Sequence, residues 1–142
     1  MWIHEESIVI QAAPAALWRL FADVAGWPRW DASLAYAQAH GPFADGTRVT
    51  MQMTGDAPAI ISTLREVREN EGFTDEVLID GHSIRVQHHL LALAPTLAGS
   101  GTQTLYRVEV TGPQAALWGE RVSADFPQVL AALKTLAETT EP

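Results

Sequence analysis

The sequence predicts an α+β fold in which a curved antiparallel β-sheet wraps around a long C-terminal α-helix, with short helices after the first strand. Three observations predict it. A first strand runs straight into a short amphipathic helix. A run of about six further segments then alternates in hydropathy between turn signals. The chain closes on one long segment striped with apolar residues, Gln114 to Glu138. One helix cannot cover both faces of so large a sheet, so the economical solution is a sheet curved over the helix. Such a sheet leaves a gap at one end, and gaps of that kind hold ligands.

Taken in order, Glu5 to Gln11 reads as a strand with Glu6, Ile8 and Ile10 on one face. Pro14 opens a helix, since proline is tolerated at the first helical position. Ala15 to Ala22 carries Leu17, Trp18, Leu20 and Phe21 as a stripe that packs between helix and sheet. Gly26 and Pro28 make Asp23 to Asp31 a loop or short broken helix. Leu34 to His40 is a strand, turned by Gly41-Pro42 and Asp45-Gly46 into Thr47 to Thr54, where Val49, Met51 and Met53 alternate. After the turn at Gly55 to Pro58, Ile60 to Glu69 and Phe73 to Ile79 pair around Glu71-Gly72. Asp80-Gly81 is a two-residue hairpin signal leading into Ser83 to Leu93. Gly99-Ser100-Gly101 closes a hairpin with Thr102 to Val110, and Gly112-Pro113 ends the β region. In the last helix Trp118, Val122, Phe126, Val129, Leu133 and Leu136 share one face. Pro127 deletes the bond to the Ser123 carbonyl and bends the helix there.

The length of 142 residues fits one domain over 1–142 with one core. There is no Cys, which excludes disulfides, thiolate nucleophiles and Cys-bound metal. A net charge of -8, from 17 acidic and 9 basic residues, is repelled by phosphate backbones and anionic lipid. Nucleic acid and membrane surfaces are therefore not expected partners. No segment is long and apolar enough to span a membrane, and the first residues lack a signal peptide's basic end and apolar core, so a cytoplasmic location is expected. No metal is expected: His88 and His89 are adjacent on a strand and face opposite sides, while His4, His40 and His82 are scattered. No phosphate loop, dinucleotide fingerprint or serine elbow occurs, and no cofactor is expected. Monomer and homodimer both fit.

Four blocks carry a resemblance over about residues 4 to 138. They are Ala13-Pro14-Ala15-Ala16-Leu17-Trp18 with Phe21-Ala22-Asp23 and Trp27-Pro28-Arg29-Trp30; Gly41-Pro42-Phe43 with Gly46-Thr47; Leu93-Ala94-Pro95 with Gly101-Thr102; and Phe126-Pro127 with Leu130 and Leu133-Lys134. In these the chain resembles the START-related helix-grip (SRPBCC) superfamily, within it the polyketide cyclase/dehydrase-like group. The resemblance implies the helix-grip fold. It does not fix a reaction, because that superfamily holds cyclases, dehydratases, lipid and hormone binders and co-chaperone domains.

The resemblance places Trp27 and Trp30 near the cavity mouth, where they act as a lid or simply pack. Met51 and Met53 suit a lining that adapts to its ligand, and Phe126 completes it. Leu93 matches an inward Leu of the family; in that phase Gln87, His89 and Leu91 also point inward, with Arg85 nearer the mouth. Tyr106 shares the inward face of the last strand with Thr104, Val108 and Val110, and Glu6 that of the first strand with His4. An inward carboxylate needs a partner, for which Arg85 is a candidate. His89, Tyr106, Arg85 and Glu6 are the candidate catalytic groups, and catalysis by this set requires at least two of them to converge on one cavity. The first expectation is binding of a small hydrophobic molecule, polyketide-like, aromatic, quinone or lipid. The alternatives are a cyclase or dehydratase acting on such a molecule and a co-chaperone-like protein-interaction module.

Overall fold

Alternating apolar and polar residues build seven strands in the computed structural model, which describes residues 1–97 and 99–139. The expected domain, 1–142, also takes in Ala98 and 140–142, which lie outside the described residues. The order is β1 (Trp2–Ile10), α1 (Pro14–Ala22), a 3-10 helix (Val24–Arg29), β2 (Leu34–Ala39), β3 (Arg48–Met53), β4 (Ile60–Arg68), β5 (Gly72–Ile79), β6 (His82–Ala92), β7 (Thr102–Thr111), α2 (Ala115–Ser123) and α3 (Phe126–Thr139). The strands form one antiparallel sheet in the order β1-β7-β6-β5-β4-β3-β2. This is the α+β helix-grip fold that the sequence predicts. The helices cover one sheet face, and the core lies between them, with Phe21, Leu17, Leu130, Leu133 and Val108 sealed from solvent. Burying each such side chain contributes about 1.5–3 kcal/mol.

Local chemistry explains the corners. Asp80 and Gly81 both have positive φ, 49° and 75°, as a tight primed hairpin turn requires. At Glu66 the chain also turns to positive φ, and the β4–β5 register slips between Arg65 and Arg68. This bulge bends the sheet just before the pair Arg68 and Gly72.

Two expectations are corrected. The C-terminal helix is not one piece over Gln114 to Glu138 but two, broken at Ala124 and Asp125. Pro127 lacks the N–H that would reach the Ser123 carbonyl, and it settles in the first turn of α3, where no such bond is needed. The second correction is the phase of β6. His82, Ile84, His88 and Leu90 are buried, while His89 and Leu91 are exposed. Antiparallel partners share a face, and His88 lies directly opposite the buried Tyr106 of β7. Leu93, whose expected inward position set the other phase, falls just beyond β6 and is 37% exposed.

His82 ties the sheet to α2. Its Nδ1 donates to the Asp80 carbonyl oxygen at 2.8 Å, and its Nε2 accepts the N–H of Gln114, the residue before α2, at 2.9 Å. The imidazole thus caps a helix whose leading N–H groups have no partner in the helix itself. His82→Phe is expected to lower stability by about 1–2 kcal/mol, because it leaves both backbone groups unpaired. Urea unfolding of the two proteins measures it, and unchanged stability would show that water takes over the cap.

Candidate functional site

The inward phases of β3, β5, β6 and β7 meet α2 and α3 around a cavity of about 340 Å³. That volume lies at the lower end of ordinary ligand pockets. Met51 and Met53 line it from β3, Val77 and Ile79 from β5, Tyr106 from β7 and Phe126 from α3. Trp27 and Trp30 line it too, but as fixed wall, being only 3% and 4% exposed. Trp27 donates its Nε1–H to the Phe21 carbonyl oxygen at 2.8 Å and stacks on Phe73. An edge-and-face cluster continues through Phe21, Phe73, His88, Tyr106 and Phe126.

Gln87, His89 and Leu91 lie outside this cavity, on the opposite sheet face. There the side chains form a lattice of charge and amide pairs. Arg85 bonds Glu76 at 2.7 Å and also pairs with Glu66. Arg107 bridges Glu5 and Glu109, while Gln87 donates to Glu109 at 2.8 Å and accepts from His89 at 3.0 Å. Glu6 does face inward but finds His4 at 3.0 Å, not Arg85, and does not reach the cavity. Of His89, Tyr106, Arg85 and Glu6, only Tyr106 lines the cavity, so this set does not converge on one site.

Six polar residues that sequence reasoning passed over as site residues do line it: Asp31, Ser33, Asp75, His88, Arg121 and Asp125. Asp75 projects from the middle of β5 and accepts a hydrogen bond from Ser62 Oγ at 3.1 Å. Its remaining free surface opens on the cavity. Burial pushes its carboxyl up to about 7, the Ser62 bond opposes this, and the negative charge of Asp31 adds to it. Burial drives the His88 imidazole down to about 3, so it is neutral. Its Nδ1 therefore carries the proton it donates to the Phe73 carbonyl oxygen at 3.3 Å. Asp125, at the break between α2 and α3, is raised by partial burial and by Asp31. The Tyr106 phenol is raised by burial and then by Asp31, Asp75 and Asp125.

Two donors in this wall have no partner among the described residues: Tyr106 Oη and Trp30 Nε1, both fully covered by protein. Leaving such groups unpaired costs about 1–3 kcal/mol each. A signal for the missed residues was present. Asp75 interrupts the apolar series Phe73, Val77, Ile79, and His88 interrupts Ile84, Val86, Leu90. A polar residue in an otherwise apolar inward phase marks a position that stability alone does not choose. Among the described residues no group of three or more His, Asp or Glu is arranged to hold a metal ion. No helix among them is long and apolar enough to cross a membrane.

An antiparallel sheet gripping its C-terminal helices, with an apolar cavity between, defines a START-related helix-grip protein. The chain belongs to the polyketide cyclase / dehydrase and lipid transport family, whose model matches residues 1–138. Solved structures agree on the fold. Protein MLL2253 from Mesorhizobium loti is 19% identical, with a TM-score of 0.72 over 99% of this chain and 100% of its own. A START superfamily protein from Mycobacterium smegmatis is 15% identical, with a TM-score of 0.69 over 96% and 97%. The di-domain ARO/CYC BexL from the BE-7585A biosynthetic pathway is 18% identical, with a TM-score of 0.70 over 95% of this chain. The chain spans 46% of that protein's length. No curated protein matches the sequence.

Proposed function

We propose that the chain is one binding domain that holds a small, largely apolar molecule with a hydrogen-bonding oxygen between the sheet and the C-terminal helices. One observation carries this reading. The cavity's apolar wall contains two buried donors, Tyr106 Oη and Trp30 Nε1, with no partner in the protein. A ligand carbonyl or hydroxyl oxygen satisfies them once the side chains that cover them shift on binding, and aromatic, quinone, polyketide-like and lipid molecules carry such oxygens. Family membership supports the same class of occupant.

The test is a titration of purified protein with such molecules, followed by tryptophan fluorescence, since Trp27 and Trp30 form part of the wall. Saturable quenching by one class supports binding. Tyr106→Phe is then expected to weaken that binding about tenfold, the worth of one buried hydrogen bond. A response that is linear in every ligand would overturn the reading.

Chemical turnover is a second reading, favoured by Asp75. A carboxyl held near neutrality beside a phenol is suited to moving a proton to or from a bound carbonyl compound. It replaces the acid–base set first expected, and single-turnover product analysis with the ligand class that binds tests it. The interaction-module reading draws no support from the outer sheet face, which is occupied by the Arg85 and Arg107 ion pairs.

A further inference from the structure

We propose that the occupant of this cavity is an organic cation, an apolar molecule bearing an ammonium group, received by the carboxylates of Asp31, Asp75 and Asp125 around Tyr106. The inference rests on the reading that the cavity binds a ligand, and it adds the charge that ligand carries.

The three carboxylates come from separate parts of the chain: the end of the 3-10 helix, the middle of β5 and the break between α2 and α3. Folding brings all three to one apolar lining. They are close enough to act on one another: Asp31 disfavours ionisation of both Asp75 and Asp125, and all three disfavour ionisation of Tyr106. Gathering like charges in a low-dielectric space costs free energy, and hydrogen bonds alone do not repay it. Ser62 gives Asp75 one bond, and Ser33 gives Asp31 two, at 2.6 and 3.1 Å. These bonds satisfy oxygens without neutralising them.

No cation among the described residues does so from within. Arg121 is the basic residue of the lining, and it is exposed, with its guanidinium over the Trp118 ring at 5.9 Å. His88 is held neutral by its burial. What remains unanswered is therefore negative charge beside aromatic faces, and both features attract an ammonium group. The second observation is independent of the carboxylates. Tyr106, 2% exposed, has an unpartnered hydroxyl, which accepts from an ammonium N–H as readily as it donates to a ligand oxygen.

The groups facing Asp75 fix the proton balance. They are Asp31 before β2, Ser62 on β4, His88 on β6, Tyr106 on β7, Arg121 in the last turn of α2 and Asp125 just past it. With Asp75 partly protonated near neutral pH, an arriving cation favours the ionised form and expels a proton. A neutral molecule of the same shape removes water from Asp75 and so takes a proton up. The sign of proton exchange thus reports the charge of the fitting ligand.

The test uses three probes with one apolar body: naphthylethylamine, naphthylethanol and naphthylacetate. Calorimetry in buffers of different ionisation enthalpy gives affinity and proton exchange together. The amine is expected to bind at least about tenfold more tightly than the alcohol at about pH 8, with the acetate weakest. The advantage should shrink at about pH 5.5, where Asp75 holds its proton. Near neutral pH the amine should release protons and the alcohol should not. Asp75→Asn and Asp125→Asn should each bring the amine-to-alcohol ratio toward one; Asp125, at the cavity rim, carries this arm if the Asp75 variant does not fold. Equal binding of amine and alcohol, or preference for the acetate, overturns the cation inference and leaves the binding reading standing. Binding of none of the three overturns the cation inference, and the titration with aromatic, quinone, polyketide-like and lipid molecules then decides the binding reading by itself.

Discussion

Replacing Gly72 by Ala is expected to cost the fold about 3 kcal/mol or more, from overpacking and backbone strain together. Gly72 opens β5 with φ at +149°, a region that side chains rarely adopt. A Cβ placed there comes within 2.1 Å of the His88 carbonyl oxygen and 3.2 Å of its carbon. Both are backbone atoms of the neighbouring strand, so no rotamer change relieves the contact and β5 must move away from β6. The next residues in register, Phe73 and His88, stack with ring centroids 4.0 Å apart and planes 6° from parallel. They form part of the cavity wall, so the loss of stability should come with a loss of ligand binding. Gly81→Ala is the control. It too has positive φ, but its Cβ would meet nothing within 4 Å, so only strain of about 1 kcal/mol remains. Urea unfolding of both variants separates clash from strain. Equal losses would mean that the strands part at no cost, against the close β5–β6 contact described above.

The fold was legible because it is written in redundant signals. The Asp80-Gly81 turn, the Pro14 helix start and the alternation of Val49, Met51 and Met53 each state the same local structure twice, in composition and in spacing. The inward Tyr106, Met51 and Met53, and the wall positions of Trp27, Trp30 and Phe126, follow from that framework. The phase of β6 did not, because two criteria disagreed. Hydropathy places Ile84, Val86 and Leu90 inside, whereas matching Leu93 to a family position places Arg85, Gln87 and His89 there. The core decided for hydropathy: burying three polar side chains to gain Leu91 and Leu93 is the more costly arrangement. That single slip moves every side chain of the strand to the other face, and it explains why His89 was expected where His88 stands. The acidic group was illegible for another reason. Asp31, Asp75 and Asp125 are far apart in sequence, and only the closed sheet brings them together. The helix break was half legible: Pro127 marked a fault, and the capacity of proline to begin a helix decided that it became an end.

Asp75 and His88 should give the protein a stability profile whose flatness hides two large and opposite pH dependences. The folded protein holds the Asp75 proton up to about 7 where an unfolded chain loses it near 3.8. Its folded value is raised, so its contribution is complete below the unfolded value and is lost as pH rises toward the folded one. His88 runs the other way. Its folded value is depressed from 6.5 to about 3, so the unfolded chain takes up the proton first and stability is lost as pH falls through that interval. Each shift spans roughly three units, which corresponds to about 4 kcal/mol if the cavity is dry and less if water solvates Asp75. The intervals overlap between about pH 4 and pH 6.5, and there the two slopes cancel. Asp75→Asn should remove one of them and expose the other: its stability should climb by several kcal/mol between those pH values. His88→Gln should show the mirror image, falling as pH rises, and the double variant should be flat again. Unfolding free energies across this range check all four profiles, and differences from the unsubstituted protein remove the contributions of Asp125 and Glu138. Parallel profiles in all four proteins would show that water reaches both groups, and the cavity would then be a wet cleft. Opposed slopes would establish a protein-walled interior in which a carboxyl stays poised near neutrality. Adding a ligand separates the two consequences of filling that interior: a neutral occupant should steepen the Asp75 slope by removing water, and a cationic one should abolish it by stabilising the charge.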